Sequence, residues 1–139
     1  MGGICLAAAV LTATLPLQAF TLAWTHSIEK IRWEEDYRLD DGRLLLTEAR
    51  IKGSGAGMEA PDGARFERGV WRYRPALAPL ARLGLAHSPY ADDYEICAAG
   101  SCRPLAALLP GIGETAVVEV APCASESPAE AASANRRRR

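Results

Sequence analysis

The chain has 139 residues, of which 49% are hydrophobic, 24% charged and 6% aromatic, which suits one small globular domain and excludes two. Its formal net charge is -1, and four of its sixteen basic residues form the terminal run 136–139. The rest of the chain therefore lacks the basic surface of a nucleic-acid-binding protein. No G-x-G-x-x-G motif is present, so a large dinucleotide-binding fold is excluded. We expect no cofactor and no nucleic acid partner.

Residues 1–19 predict an export segment. The stretch from Ile4 to Ala19 carries no charged side chain and ends in a small residue, as a cleaved signal peptide does. Its 16 residues are fewer than the ~20 that a membrane-spanning helix needs, so a signal peptide is favoured over a helical anchor in the inner membrane. Either interpretation predicts a helix over residues 1–19 and places the remaining chain in the periplasm or outside the cell.

From residue 20 onward the apolar side chains alternate with polar ones, and Gly, Pro and Asp separate the runs. This pattern predicts a mostly β domain over residues 20–123, a single antiparallel β-sandwich or small barrel of about seven strands. The predicted strands are 20–25, 33–39, 44–52, 69–74, 82–87, 91–97 and 116–121. One short helix is expected from Pro104 to Leu109. Residues 124–139 are rich in Ala, Ser, Glu and Pro and predict a disordered tail.

Three cysteines follow the export segment: Cys97, Cys102 and Cys123. Small exported domains often contain disulfides because their cores are thin. The four residues between Cys97 and Cys102 fit a tight turn, so this pair can close across a hairpin. Alternatively, Cys123 holds one of them or stays free. A zinc site would need all three thiols and one of the two histidines, and we expect no metal.

Residues 22–39 and 83–96 form a near-repeat. Each contains a short apolar run, His-Ser, a connection, and two acidic residues followed by Tyr. The repeat predicts two similar hairpins related by a pseudo-twofold axis. It also places a histidine and a carboxylate at equivalent positions in each hairpin, His26 with Glu35 and His87 with Asp92.

Strand parity directs these polar side chains toward the apolar faces. Glu35, for example, shares a face with Trp33 and Tyr37. Burial of a lone charge is costly, so each pair forms a register-fixing polar network, lines a ligand cleft, or performs catalysis. Ser27 adjoins His26 but points to the opposite face and lies outside a G-x-S-x-G elbow, so we expect no enzyme.

A glycine-rich segment follows the strand predicted over residues 44–52. Gly53, Gly55 and Gly57 allow positive φ angles and expose backbone N–H groups. These suit a bulge or wide turn between strands, or else the binding of a carboxylate or of a partner's strand. The segment lacks the Lys-Ser/Thr of a phosphate loop, which argues against nucleotide binding.

Three motifs carry a resemblance to a known family: FTLAWTHS at residues 20–27, EEDY at 34–37 and SGAGM at 54–58. They resemble the domain-of-unknown-function family numbered 1850, a group of small exported bacterial proteins. The resemblance implies a periplasmic accessory role beside tripartite ATP-independent periplasmic (TRAP) transporters of the TAXI type. The motif positions that carry over, without an assigned role, are His26, Ser27, Glu35, Tyr37, Gly55 and Gly57.

These observations lead to one functional hypothesis and two alternatives. We expect an exported, non-catalytic binding module whose partner is the membrane or solute-binding subunit of a TRAP transporter. The first alternative is a periplasmic domain that binds a small molecule or ion through His26 and Glu35. The second is a structural envelope protein in which the polar residues only hold strand register.

Overall fold

The computed structural model describes residues 2–25, 30–52 and 63–123. Over these residues the chain is mostly β, as predicted, with eleven strands and one short helix. The strands are β1 (Ile4–Ala8), β2 (Leu11–Leu15), β3 (Ala19–Thr25), β4 (Arg32–Asp40), β5 (Arg43–Lys52), β6 (Arg65–Glu67), β7 (Val70–Tyr73), β8 (Leu83–His87), β9 (Glu95–Ala98), β10 (Ser101–Pro104) and β11 (Ala116–Pro122), and the helix is α1 (Leu105–Leu108).

The strands form two antiparallel sheets and no closed barrel. One sheet has the order β2-β1-β11-β8, and the other has the order β10-β9-β3-β4-β5-β7-β6. The two sheets share one hydrophobic core, so the architecture is the sandwich. Residues from both sheets and from α1 are fully buried in this core: Ile4, Leu6, Leu44, Leu105, Val118 and Val120.

The prediction of a helix over residues 1–19 is wrong. Ile4, Leu6 and Ala8 are buried, while Cys5 and Ala7 between them point to the opposite face of β1. This strand lies between β2 and β11 and pairs with both. The apolar run is thus an alternating strand whose pairing partners decide its structure. Among the described residues no helix is long and apolar enough to cross a membrane.

The three cysteines that follow residue 19 have a fourth partner in β1. Cys5, which the sequence interpretation assigned to the export segment, forms a disulfide with Cys123 at the end of β11. Cys97 and Cys102 form the second disulfide, between directly opposed positions of the β9–β10 hairpin. Ala99 and Gly100 make its two-residue turn, both with positive φ, at 53° and 79°.

The short helix occurs and each predicted strand overlaps an observed one, but the strand predicted over residues 91–97 begins only at Glu95. Strands β1, β2, β6 and β10 were not predicted. The pseudo-twofold arrangement of two similar hairpins is wrong. Strands β3 and β4 pair with each other, whereas β8 and β9 lie in different sheets. Residues 88–94 contain a turn at Pro89 and Tyr90 and a bend at Ala91 but no strand, and they carry the chain from one sheet to the other.

Candidate functional site

Glu35 lies on the inner face of the seven-stranded sheet. It is opposite Leu22 on β3 and Ala49 on β5, and Ala49 is in turn opposite Tyr73 on β7. Leu22 and Ala49 are 2% and 3% exposed, whereas the Glu35 side chain is half-buried. Glu35 is therefore the one charged residue in this row of four, and its neighbours in the row are Leu22 and Ala49.

The neighbouring row toward one end of the sheet is aromatic. Trp24 is opposite Trp33, which is opposite Ile51, and Trp71 follows on β7. The Trp24 and Trp33 rings stack with centroids 6.1 Å apart, and Trp24 meets the Tyr94 ring at 5.6 Å in a tilted arrangement. All these rings are half-buried, so their edges or faces remain accessible to solvent.

Tyr37 holds the Glu35 carboxylate from the other side. Its hydroxyl donates a hydrogen bond to Glu35 Oε1 at 2.8 Å, and its ring stacks on Phe20 at 5.5 Å. Burial of the phenol, together with the negative charge and hydrogen bond of Glu35, raises the Tyr37 pKa far above its usual value. Tyr37 therefore stays a neutral hydrogen-bond donor at every physiological pH.

The negative charge of Glu35 also affects the pKa values of two more tyrosines. Burial and the negative charge of Glu35 raise the pKa values of Tyr73 and Tyr94. We define the Glu35 site as the carboxylate and the aromatic side chains around it: Trp24, Trp33, Glu35, Tyr37, Tyr73 and Tyr94. Within residues 2–25, 30–52 and 63–123, no Arg, Lys or His side chain forms an ion pair with Glu35.

On the outer face of the same sheet, carboxylates form ion pairs with basic side chains. Glu34, the neighbour of Glu35, contacts Arg32 and Arg50 at 2.9 Å and Lys52 at 3.3 Å. Asp36 accepts two hydrogen bonds from Arg50, each 2.7 Å long. We call Glu34, Asp36 and their basic partners Arg32, Arg50 and Lys52 the outer network. Both of its carboxylates have a basic partner, whereas Glu35 pairs with a phenol.

The two carboxylates of the outer network are stabilised in their charged forms. Desolvation alone would raise the pKa of Glu34, but hydrogen bonds from Arg32 and Arg50 outweigh it and lower the pKa below its usual value. The Arg50 hydrogen bond is the main reason that the pKa of Asp36 is lowered. This network satisfies its own charges and holds the register of β3, β4 and β5.

The structure brings together only part of the predicted site. Glu35 and Tyr37 are in direct contact. The remaining residues of the predicted His-carboxylate and glycine-loop site lie outside the described residues: His26, Ser27, Gly53, Gly55 and Gly57. Thr25, Arg32 and Lys52 stand opposite one another at the same end of the sheet, next to the Trp24–Trp33 row.

The second predicted pair, His87 with Asp92, does not form. His87 Nδ1 lies 3.0 Å from Oδ1 of Asp93 rather than pairing with Asp92, which is exposed. The parity argument fails because β9 begins only at Glu95, so residues 92 and 93 are not on an extended strand. Oδ2 of Asp93 accepts a hydrogen bond from the Ala106 backbone N–H, so this pair anchors α1. We assign it a structural role.

Sequence reasoning missed the contributions of Trp24, Tyr73 and Tyr94 to the site. Trp24 has the parity expected for the inner face, which was visible in the alternation of β3, whereas Tyr94 precedes β9 and strand parity does not place it. Tyr73 could be placed only once β7 was known to pair with β5, which a local pattern does not specify.

A group of potential metal ligands lies at the β9–β10 hairpin. Glu95, Cys97 and Cys102 place a carboxylate oxygen and two sulfurs within 4.8 Å of one another. Both sulfurs are consumed in a disulfide, and a metal requires thiolates. The Arg32 guanidinium lies between these groups, 3.1 Å from Glu95 Oε1 and 3.7 Å from Cys102 Sγ. This cluster is therefore a charged contact at the hairpin.

Comparison with known proteins identifies one family. The model of a domain of unknown function, DUF1850, matches residues 20–105, which run from β3 to the start of α1 and include the whole Glu35 site. The comparisons with curated proteins and with solved structures gave no match. Since the matched region covers well over half of its residues, the chain belongs to the DUF1850 family.

Proposed function

We propose that this protein is an exported, non-catalytic binding domain that acts as an accessory of a TAXI-type TRAP transporter, with the Glu35 site as its contact point. The observation that carries the binding role is a half-buried carboxylate in an aromatic surround, held by a tyrosine hydroxyl instead of a basic side chain. Such a mixture of apolar walls and a few placed polar groups is typical of binding sites.

Two features support the export part of the proposal. The chain forms two disulfides and leaves no free thiol among its four cysteines, which is typical of proteins in oxidising compartments. In addition, the sequence resembles a family of exported bacterial proteins. We place the domain in the periplasm.

The non-catalytic part rests on the chemistry of the site. Glu35 is the acidic group of the site, and Tyr37 is a donor whose pKa is raised far above neutrality by burial and by the charge of Glu35. An enzyme needs groups whose protonation changes near the working pH or a nucleophile next to a base. Among the described residues of the Glu35 site, the phenols of Tyr37, Tyr73 and Tyr94 have pKa values raised further from neutrality, and no Ser, Cys or Lys nucleophile stands beside a base.

The partner is inferred from the family resemblance, which implies an association with a TAXI-type transporter. The membrane or solute-binding subunit of that transporter is the proposed partner. We place the contact at the end of the sheet that holds the Trp24–Trp33 row, because the half-buried rings there offer apolar surface beside a charge.

Crosslinking in the native cell envelope tests this proposal. Tagged protein is crosslinked in intact cells and purified, and the recovered proteins are identified by mass spectrometry. We expect a TAXI-type transporter subunit with the wild type and with Glu67→Gln, which removes an exposed charge on β6. Glu35→Gln should reduce its recovery at least ~10-fold, equivalent to about 1.4 kcal/mol. If no transporter subunit is recovered with folded, exported protein, the accessory role is wrong.

A further inference from the structure

We propose that the Glu35 site binds an organic ammonium group, and this inference rests on the binding role proposed above. The ammonium group comes either from a free small molecule or from a lysine side chain of the partner. Both sources offer the same chemistry to the site, and the experiment below distinguishes them.

The first argument is the charge of the site. The carboxylates of the outer network each contact at least one Arg or Lys, as Glu34 does with three basic residues. Glu35, half-buried on the other face, has a phenol as its hydrogen-bond partner among the described residues. A partly desolvated carboxylate is stabilised by a nearby cation, so the site favours a ligand that supplies positive charge.

The second argument is the aromatic surround. Indole and phenol rings attract a cation positioned over their faces, and tryptophan does so most strongly. Trp24, Trp33 and Tyr94 supply such rings in the row next to Glu35, because Trp33 is two residues before Glu35 on β4 and is opposite Trp24. A carboxylate next to aromatic faces is the combination that recognises alkylammonium groups.

The third argument excludes other ligand classes. An anion would be repelled by Glu35, and no Arg or Lys of the described chain forms an ion pair there to compensate. Calcium requires six to eight oxygen ligands, and magnesium requires near-octahedral oxygen coordination. The described site offers one carboxylate and phenol groups, which suits an organic cation better than a hard metal ion.

Binding is measured with the full, disulfide-bonded chain by tryptophan fluorescence and by calorimetry. Two of its three tryptophans belong to the site. The first probe is choline, and its control is 3,3-dimethyl-1-butanol, which has the same shape without the charge. We expect choline to bind and the neutral isostere to bind at least ~10-fold more weakly.

Three variants assign the binding to the site. Glu35→Gln removes the charge but keeps an oxygen that accepts the Tyr37 hydrogen bond, so it should fold and bind choline at least ~10-fold more weakly. Tyr73→Leu, at the edge of the site, should weaken choline binding ~3- to 10-fold. Glu67→Gln on β6 should bind as the wild type does. Circular dichroism confirms that each variant is folded.

The second probe, a short acetylated and amidated Gly-Lys-Gly peptide, identifies the source of the ammonium group. Tighter binding of choline indicates a free small molecule, and tighter binding of the peptide indicates a lysine of the partner. The inference is overturned if neither probe binds or if Glu35→Gln binds both as well as the wild type.

The crosslinking experiment distinguishes failure of the ammonium site from failure of the accessory role. Recovery of the transporter subunit without probe binding leaves the accessory role intact, whereas probe binding without the subunit leaves only the ligand site.

Discussion

Among single residues, Glu34 forms three ion pairs in the outer network. Its side chain is 12% exposed and contacts Arg32, Arg50 and Lys52. Replacement by Gln would leave the Arg50 guanidinium, itself 14% exposed, with less compensation for its burial. We expect Glu34→Gln to lower the free energy of unfolding by about 1–3 kcal/mol, measured by urea denaturation. Glu67→Gln, with its exposed partners, should change it by less than about 0.5 kcal/mol. Equal effects of the two variants would contradict a stabilising outer network.

The same network predicts how stability depends on pH. The folded-state pKa values of Glu34 and Asp36 are lowered by their arginine partners. Their contribution to stability is therefore fully present above the unfolded-state pKa values of about 4 and is lost as the pH falls through the folded-state values. Urea denaturation at pH 7 and pH 3 should show lower stability at pH 3. Asp36→Asn should reduce this difference, and an unchanged difference would assign the acid sensitivity to other groups.

Tyr37 tests how tightly the Glu35 carboxylate is held. Tyr37→Phe removes the hydroxyl and keeps the ring that stacks on Phe20. Because a hydrogen bond to a charged acceptor contributes about 1.5–3 kcal/mol, we expect a loss in this range, measured by urea denaturation. A loss below about 0.5 kcal/mol would mean that solvent already satisfies Glu35 in the folded protein.

At the scale of elements, strand β5 shows why alternation alone did not define the site. Leu44 and Leu46 are buried at its start, and Ala49 and Ile51 are buried at its end, so the buried parity changes within the strand. The change follows from a bulge, because Asp36 pairs with Glu48 whereas Tyr37 pairs with Leu46. Thr47 is the extra residue, and its hydroxyl donates to the Asp36 carbonyl. The bulge places Ala49 opposite Glu35.

The sequence was informative where structure is local. The strands predicted over residues 20–25 and 44–52 occur because their alternation and turn residues act over short distances. The apolar segment at residues 4–15 was misinterpreted because its hairpin is part of a sheet only through the pairing of β1 with β11, more than a hundred residues away. The placement of Tyr73 near Glu35 likewise depends on strand order, which no local pattern encodes.

At the scale of the whole molecule, the two disulfides differ in what they constrain. Cys5 and Cys123 are 118 residues apart, and Cys97 and Cys102 are 5 apart. By loop-closure entropy the first contributes about 5 kcal/mol and the second about 2 kcal/mol. We expect Cys5→Ser with Cys123→Ser to lower the free energy of unfolding in urea by about 3 kcal/mol more than Cys97→Ser with Cys102→Ser does. A larger loss from the hairpin pair would contradict this ranking.

The first two strands determine whether the domain can exist without residues 1–19. β1 lies between β2 and β11, and its Ile4 and Leu6 are fully buried against the core. Deletion of residues 1–19 would open the edge of β11, expose Val118 and Val120 and leave Cys123 unpaired.

We therefore expect the chain that starts at Phe20 to lose cooperative thermal unfolding and its near-ultraviolet circular dichroism signal. The double variant Cys5→Ser with Cys123→Ser is the matched control, because it removes the same disulfide and keeps both strands. It should still unfold cooperatively, at a lower temperature. If the truncated chain unfolds cooperatively at the midpoint of that control, β1 and β2 are dispensable and cleavage after Ala19 is compatible with the fold. The intact mass of the protein purified from its own cells then shows whether the cell retains residues 1–19, as a sheet with β1 between β2 and β11 requires.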